Sequence, residues 1–395
     1  MLKGMFATPQ NIMVSALKAP KIGYSRSNQL DIANYAQAEK YLDSIFKQNS
    51  NQVLSLPSQV ESFQNTVSEA TLKAFASVLS GADRKTPGSH LAHRFLQRIL
   101  YQINVQLNRL NADRSQPLTP ERDTYLHSLR NQIEKVWQRW ELAQFELDAL
   151  QKVSVEQTLN ERIVADSNSI SAENDRFFRT QMTQAGYQRL IAIAPIDELA
   201  AASHLCRTLS ATSKDHSIPT EFTRLFLQDD YLAPLNRPYS IYFKKMVVDL
   251  GMDTEPETYF NLVPWEVLAL HNQAFLLTRE KNYLLQYVGG LLYLEVAVPA
   301  AFTHYQVAAQ RLGLPSVVIN YWDLHTRLHA EDGYQMLDKV VLPLANQCPK
   351  QAWELILGYD QQRAMSRRAV AAIASSVRAA ERAERAIAKS SRAKS

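Results

Sequence analysis

Three observations predict an all-α fold. Good helix formers dominate the chain, Leu, Ala, Gln, Glu and Arg among them, while glycine accounts for only 11 of 395 residues. Apolar residues recur in steps of three and four, and the alternation of a half-buried strand is nowhere sustained. Proline and glycine fall mostly between those runs, where they punctuate helices. At 44.8 kDa the chain can bury a core for one large domain or two modest ones.

Residues 1–55 mix Pro, Ser, Asn and Gln with short apolar groups, which predicts an irregular N-terminal arm with one short helix around Ala36 to Phe46. Pro57 to Ser80 has helical periodicity, and Pro87-Gly88-Ser89 breaks the chain before the next helix. Leu96, Leu100, Ile103, Leu107 and Leu110 then alternate steps of four and three. Beyond the polar stretch Asp113 to Thr119, Thr119-Pro120-Glu121 offers an N-cap hydroxyl, a proline at the first helical position and an acid in the first turn. The helix it opens reads Leu126, Leu129, Ile133, Val136, Trp140, Ala143, Leu147, Leu150. Two such helices make an antiparallel hairpin with a coiled-coil-like seam, so 56–178 reads as a helical hairpin extension. The seam fits packing within the chain, and it is also compatible with a homodimer.

Helix-compatible runs follow at Asp175 to Ile193, Ile196 to Ser210, Thr220 to Gln228, Arg237 to Leu250 and Pro264 to Thr278. They continue at Lys281 to Leu312, with Pro299 as a candidate break, then Val317 to Leu344 and Gln351 to Gly358. Residues 179–362 therefore read as a compact helical domain, and short connections such as Gly313-Leu314-Pro315 imply antiparallel neighbours. The remainder, 363–395, is a basic tail rich in Ala and Arg, expected to bury little.

Formal net charge is +4, and the eight Lys or Arg from Ser366 onward against Glu381 and Glu384 place +6 in the tail, leaving −2 on the body. No nucleic-acid-binding body is expected from that balance. Cys206 and Cys348 are far apart with no CxxC, which argues against a disulfide framework or thiolate zinc site and fits a reducing compartment. Met1 to Ser25 lacks a continuous apolar stretch of the signal-peptide kind, and no stretch approaches the roughly 18 to 20 apolar residues of a membrane span. The expected location is the cytoplasm.

The chemistry concentrates in Tyr321 to Gly333. On a helix, His325, His329 and Asp332 stand at i, i+4 and i+7, on one face within two turns. Two imidazoles and a carboxylate on one face form a metal-ligand set. Glu295 interrupts the apolar run Val288 to Phe302, where an unpaired charge costs several kcal/mol unless compensated. A cation shared with the His325 face compensates it, and so does a hydrogen bond from a buried Tyr, Arg or His. Both readings stand on spacing alone. His304, nine residues after Glu295, falls about 180° away on a helix and is not recruited. Aromatic residues are dense between Leu225 and Leu357, and Tyr239, Tyr293 and Trp322 are candidates for a small-molecule pocket or simply for core. No P-loop, GxGxxG or GxSxG occurs.

Several stretches together resemble the haem-oxygenase-like diiron oxidases, also called the iron-containing redox enzyme family. They are Asp229-Asp230, then Tyr239-Ser240-Ile241-Tyr242-Phe243 leading to Asp249-Leu250-Gly251, then Gly290-Leu291-Leu292-Tyr293-Leu294-Glu295-Val296-Ala297-Val298-Pro299. Leu312-Gly313-Leu314 and Tyr321-Trp322-Asp323-Leu324-His325, with His329, Asp332 and Gly333, complete the set. The resemblance spans roughly 180 to 360 and implies a haem-oxygenase-like helical bundle holding one or two irons without haem. It further implies an oxidase or oxygenase that activates dioxygen on a small-molecule substrate. Glu295 and His325 match the family in type and spacing. His329 stands where the family has Asp and Asp332 where it has His, so the ligand types are present but exchanged. Upstream, Asp229 or Asp230 followed by Tyr239 stands where the family has Glu followed by His. A mononuclear site of Glu295, His325 and one of His329 or Asp332 is what these departures leave. The competing reading is a non-catalytic relative that binds or scaffolds a partner.

Overall fold

The computed structural model describes residues 26–47, 57–80, 89–108, 119–167, 172–194, 238–329 and 332–392, and among them there is no strand. The all-α expectation is met among the described residues. Contacts divide the chain into two units.

One unit gathers Ile22–Glu146 with His271–Phe275. Its helices are α1 (Arg26–Lys47), α2 (Pro57–Ala74), α3 (Ser89–Asn108) and α4 (Pro120–Leu142). The expected irregular arm with a short helix is, over 26–47, a 22-residue helix. Tyr35, Ala38, Leu42 and Ile45 are buried at steps of three, four and three, an apolar stripe that the polar residues around it concealed. Tyr35 stacks on Phe95 with ring centroids 4.5 Å apart, and Arg98 clasps Glu39 through two 2.8 Å hydrogen bonds.

The α3–α4 hairpin forms, with Leu96, Leu100 and Ile103 buried on one helix and Leu126, Leu129, Ile133 and Trp140 on the other. Two details differ from expectation. The knob one turn after Ile133 is Trp137, wholly buried, rather than Val136. The helix also stops at Leu142 instead of running to Leu150, and its buried apolar stripe ends at Trp140. Buried Glu141 accepts hydrogen bonds from Trp137 Nε1 at 3.0 Å and Gln144 Nε2 at 3.1 Å around that end. A buried amide network completes the unit. Asn272 donates to the Gln97 carbonyl (2.9 Å) and Oε1 (2.8 Å) and accepts from Asn104 (3.1 Å).

The other unit holds the described residues within Leu147–Leu270 and Leu276–Ser395. Its main helices are α5 (Val155–Asp166), α6 (Gln184–Ile193), α7 (Pro238–Asp249), α8 (Trp265–Leu277, apart from its residues 271–275), α9 (Leu284–Arg311) and α10 (Ser316–His329). Then come α11 (Asp332–Met336), α12 (Leu342–Gln347) and α13 (Trp353–Arg392), with single π-helical turns at Phe177–Gln181 and Leu337–Val341. The runs expected at 196–210 and 220–228 lie outside the described residues. The run expected at Asp175 to Ile193 is broken at Met182–Thr183, where Thr183 caps α6 by accepting from the Gly186 N–H at 3.2 Å.

The central helix α9 runs 28 residues straight through Pro299. Pro299 lacks an N–H, so the Glu295 carbonyl receives no hydrogen bond from that position, yet packing holds the helix together. α13 crosses α9 with backbone in contact: a β-carbon at Gly289 would collide with the Leu355 carbonyl, and one at Gly358 with the Gln286 carbonyl. α9 ends at Gly313 (φ 64°), whose N–H bonds the Gln310 carbonyl while Leu314 N–H bonds Ala309. These paired bonds form a Schellman stop, and the turn into α10 lays that helix back along α9. Contrary to the expectation that no stretch approaches a membrane span, α9 is long and apolar enough to cross one. Its span is 59% buried, and α10 and α13 pack on it as on a core helix.

The basic segment 363–395 was expected to bury little. Instead α13 continues unbroken to Arg392, with Ala369, Ala374, Val377 and Ala380 all buried. Ala374 and Val377 enter a core cluster with Tyr187, Leu190, Tyr305 and Trp322. Small side chains permit close helix approach, so an alanine-rich face can pack without large apolar residues.

Candidate metal centre

Glu295 sits at mid-length of α9 and is 6% exposed. It lines a cavity of about 290 Å³ whose other described walls come from α9 itself (Val296, Pro299, Ala300, Thr303), from Thr326 on α10 and from Gly333 and Tyr334 on α11. Ile163 and Ser167, at the end of α5, close another side. Thr326 directly follows His325, and Gly333 directly follows Asp332. The backbone of Gly333 rests on Val296, so the chain at 332–333 is held against the turn of α9 that carries Glu295. Glu295, the His325 helix and the Asp332 segment thus meet at one cavity.

The side chains of His325, His329 and Asp332 lie outside the described ones, as does that of Tyr239 on the first turn of α7. Asp229 and Asp230 lie outside the described residues altogether. Among the described residues no three His, Cys, Asp or Glu side chains cluster as a metal site.

Tyr293 and Trp322 take core positions, and neither is among the described residues that line the cavity. Tyr293 packs edge-on against Tyr359 with ring centroids 5.4 Å apart. Trp322 stands among Phe302, Tyr305 and Tyr321, and its indole N–H donates to Tyr187 Oη at 2.5 Å. His304 faces away from the cavity cluster, as its register predicts, and lies 3.4 Å from Asp175. Burial, and secondarily Arg179, hold the His304 imidazole below its usual pKa.

The α5 wall is fastened electrostatically. Arg162 grips Asp360 on α13 through bonds of 2.5 and 2.8 Å. Asp166, 2% exposed, meets Arg363 at 2.9 Å, Arg367 at 3.2 Å and the Tyr359 hydroxyl at 3.2 Å. Burial pushes the Tyr359 phenol far up, and the Asp166 charge adds to that. The Tyr293 phenol is pushed up to about 12, first by burial and then by Asp166. Sequence reasoning missed Thr303, Thr326, Ile163, Ser167 and Tyr334. Pro299 and Thr303 follow Glu295 at i+4 and i+8, a signal for one shared helix face. Nothing local marks Ile163 or Ser167, which arrive from a distant helix.

Fold and site together define an all-helical protein with a buried carboxylate at a cavity between core helices. The model of the family described as iron-containing redox enzymes matches residues 240–365, which contain Glu295, His325, His329 and Asp332. Over that segment, roughly a third of the chain, the protein is similar to that family, which supports a haem-oxygenase-like relationship and a redox function in general terms. No curated protein matches the chain.

Proposed function

We propose that this cavity is a non-haem iron site and that the protein oxidises a small molecule with dioxygen. The observation that carries the reading is that the buried Glu295 carboxylate shares one cavity with Thr326 and Gly333, the chain neighbours of His325 and Asp332. The donor set suits iron. Glu295 supplies carboxylate oxygen, His325 and His329 imidazole nitrogen, and Asp332 a second carboxylate. At about 290 Å³ the cavity lies at the small end of ligand pockets, roughly 300 to 1,000 Å³, a size that suits a small substrate.

Glu295, His325 and one of His329 or Asp332 would hold the iron, which would supply the electrons for reaction with dioxygen. The chain's own residues do the rest. Ile163, Val296, Pro299 and Ala300 present an apolar wall on one side of the site. The Thr303 and Thr326 hydroxyls donate to the carbonyls four residues back, at 2.9 Å each, which fixes both as acceptors toward the cavity. Tyr334, 53% exposed, stands at the mouth.

Iron content after anaerobic ferrous loading tests the reading, with His325→Ala and Glu295→Ala as comparisons. One or two irons per chain, lost in both variants, together with iron-dependent dioxygen consumption, is the expected result. A wild-type protein that takes up no iron would overturn it and leave the non-catalytic binding role.

A further inference from the structure

A second cavity, about 270 Å³, lies between the π turn Phe177–Gln181, the start of α6 and the last third of α13. Its described lining is Phe177, Gln181, Thr183, Arg378, Glu381, Arg382 and Arg385. The arginines occupy i, i+4 and i+7 on α13, one face of the helix, over a rise of about 10 Å.

The only carboxylate in that lining is turned inward. Glu381, 5% exposed, accepts the Thr183 N–H at 2.7 Å, and its Oε1 lies where a side chain at Gly186 would have to go. Its charge is engaged at the N-terminus of α6. Arg378 lies over the Phe177 ring, 4.2 Å from the centroid, and among the described residues it also contacts Glu173 (3.6 Å) and Asn174 (3.4 Å). Arg385 is oriented by a 3.3 Å bond from Nε to the Glu381 carbonyl, which leaves the two terminal nitrogens for another acceptor. Arg382 and Arg385 are both exposed. Among the described residues the pocket therefore offers the exposed Arg382 and Arg385 forks, with Arg378 partly held by Phe177 and Glu173, against a lining carboxylate already engaged.

We propose that this pocket binds a small molecule carrying a phosphate or pyrophosphate group, independently of the Glu295 cavity. Guanidinium forks pair with phosphate oxygens in bidentate fashion, and forks spread along a helix suit a multiply charged group better than a single carboxylate. The concave shape favours a compact ligand over a flat polyanionic surface.

Calorimetric titration of the full-length protein with sodium pyrophosphate tests this. Saturable one-to-one binding is expected, weakened at least tenfold in an Arg382→Gln/Arg385→Gln double variant, both of whose sites are exposed. Gln181→Trp keeps every charge but fills the cavity, and it too should weaken binding at least tenfold. Absence of saturable heat would overturn the proposal, as would unchanged affinity in the double variant. Retained binding in Gln181→Trp would mean a merely basic surface. Binding to phosphatidic acid vesicles or duplex DNA without binding to pyrophosphate would equally overturn it.

Discussion

Gly333 lies against Val296 so closely that a β-carbon at 333 would come within 2.9 Å of the Val296 Cγ2 methyl. That contact sets how near α11 approaches α9, one residue after Asp332 on one side and one residue after Glu295 on the other.

Gly333→Val should accordingly lose about 1 to 3 kcal/mol of stability through overpacking and should loosen iron binding. Valine 296 is β-branched and stiff, so it cannot swing away cheaply. Val296→Ala in the same chain vacates the contested space and should restore part of both losses. Urea denaturation and iron content of the single and double variants measure this, and equal losses with and without Val296→Ala would contradict it.

Gly289 and Gly290 are neighbours with opposite expectations. A β-carbon at 289 runs into the Leu355 backbone, which cannot rotate aside, so Gly289→Ala should cost about 3 kcal/mol or more. At Gly290 the nearest atom is Gln362 Cβ at 3.5 Å, an ordinary contact. Gly290→Ala should be neutral or stabilising by about 0.5 to 1 kcal/mol from helix propensity. Thermal melts of the two variants separate them, and similar melting points would remove the backbone-contact account of the α9–α13 crossing.

Much of the fold could be read where one large side chain per turn marks the buried face. The boundaries of α7, α8 and the α9–α10 turn fall within a few residues of their proline and glycine punctuation. α13 was misread because its buried face past 368 is mostly Ala369, Ala374, Val377 and Ala380, residues too small to stand out from a solvated alanine-rich segment. Pro299 was a candidate break because proline removes one hydrogen bond, but packing on both sides of α9 outweighs that loss. At the site, Glu295 announced itself as a charge in an apolar run. Its partners in the cavity wall are small or neutral, and Ile163 and Ser167 reach it only through tertiary contacts.

Glu266, on the first turn of α8, should make stability depend on pH. Burial raises its pKa to about 7, against 4.5 for the free side chain, although its own backbone N–H and Arg368 pull the other way. Between those values the folded state holds a proton that the unfolded chain has released. Stability from this group should therefore be greatest below about pH 4.5, fall as pH rises toward 7 and level off beyond, by up to about 3 kcal/mol. Glu266→Gln should flatten that part of the profile. Denaturant midpoints between pH 5 and 8 test it, and identical slopes in the two proteins would count against the buried carboxyl.

Asp166 should matter more than its place on a short helix suggests. It is the shared acceptor for Arg363, Arg367 and Tyr359, and it ends the turn that presents Ile163 and Ser167 to the Glu295 cavity. Removing one partner of a fully buried ion pair costs about 3 to 5 kcal/mol. Here the Arg363 and Arg367 side chains are 26% and 52% exposed, so water can rehydrate both guanidiniums once the carboxylate is gone. Asp166→Asn, which keeps an oxygen for the Tyr359 hydroxyl, should therefore cost about 1 to 2 kcal/mol, within the range for a charged hydrogen bond. Asp166→Ala also strands the phenol and should cost more. Because Arg162 still grips Asp360, α5 should loosen at its C-terminal turn first. Amide exchange at 163–167 in Asp166→Asn should then rise well before that of α9 or α13. Exchange that rises equally in all three helices would mean that Asp166 supports the whole unit rather than fastening this wall.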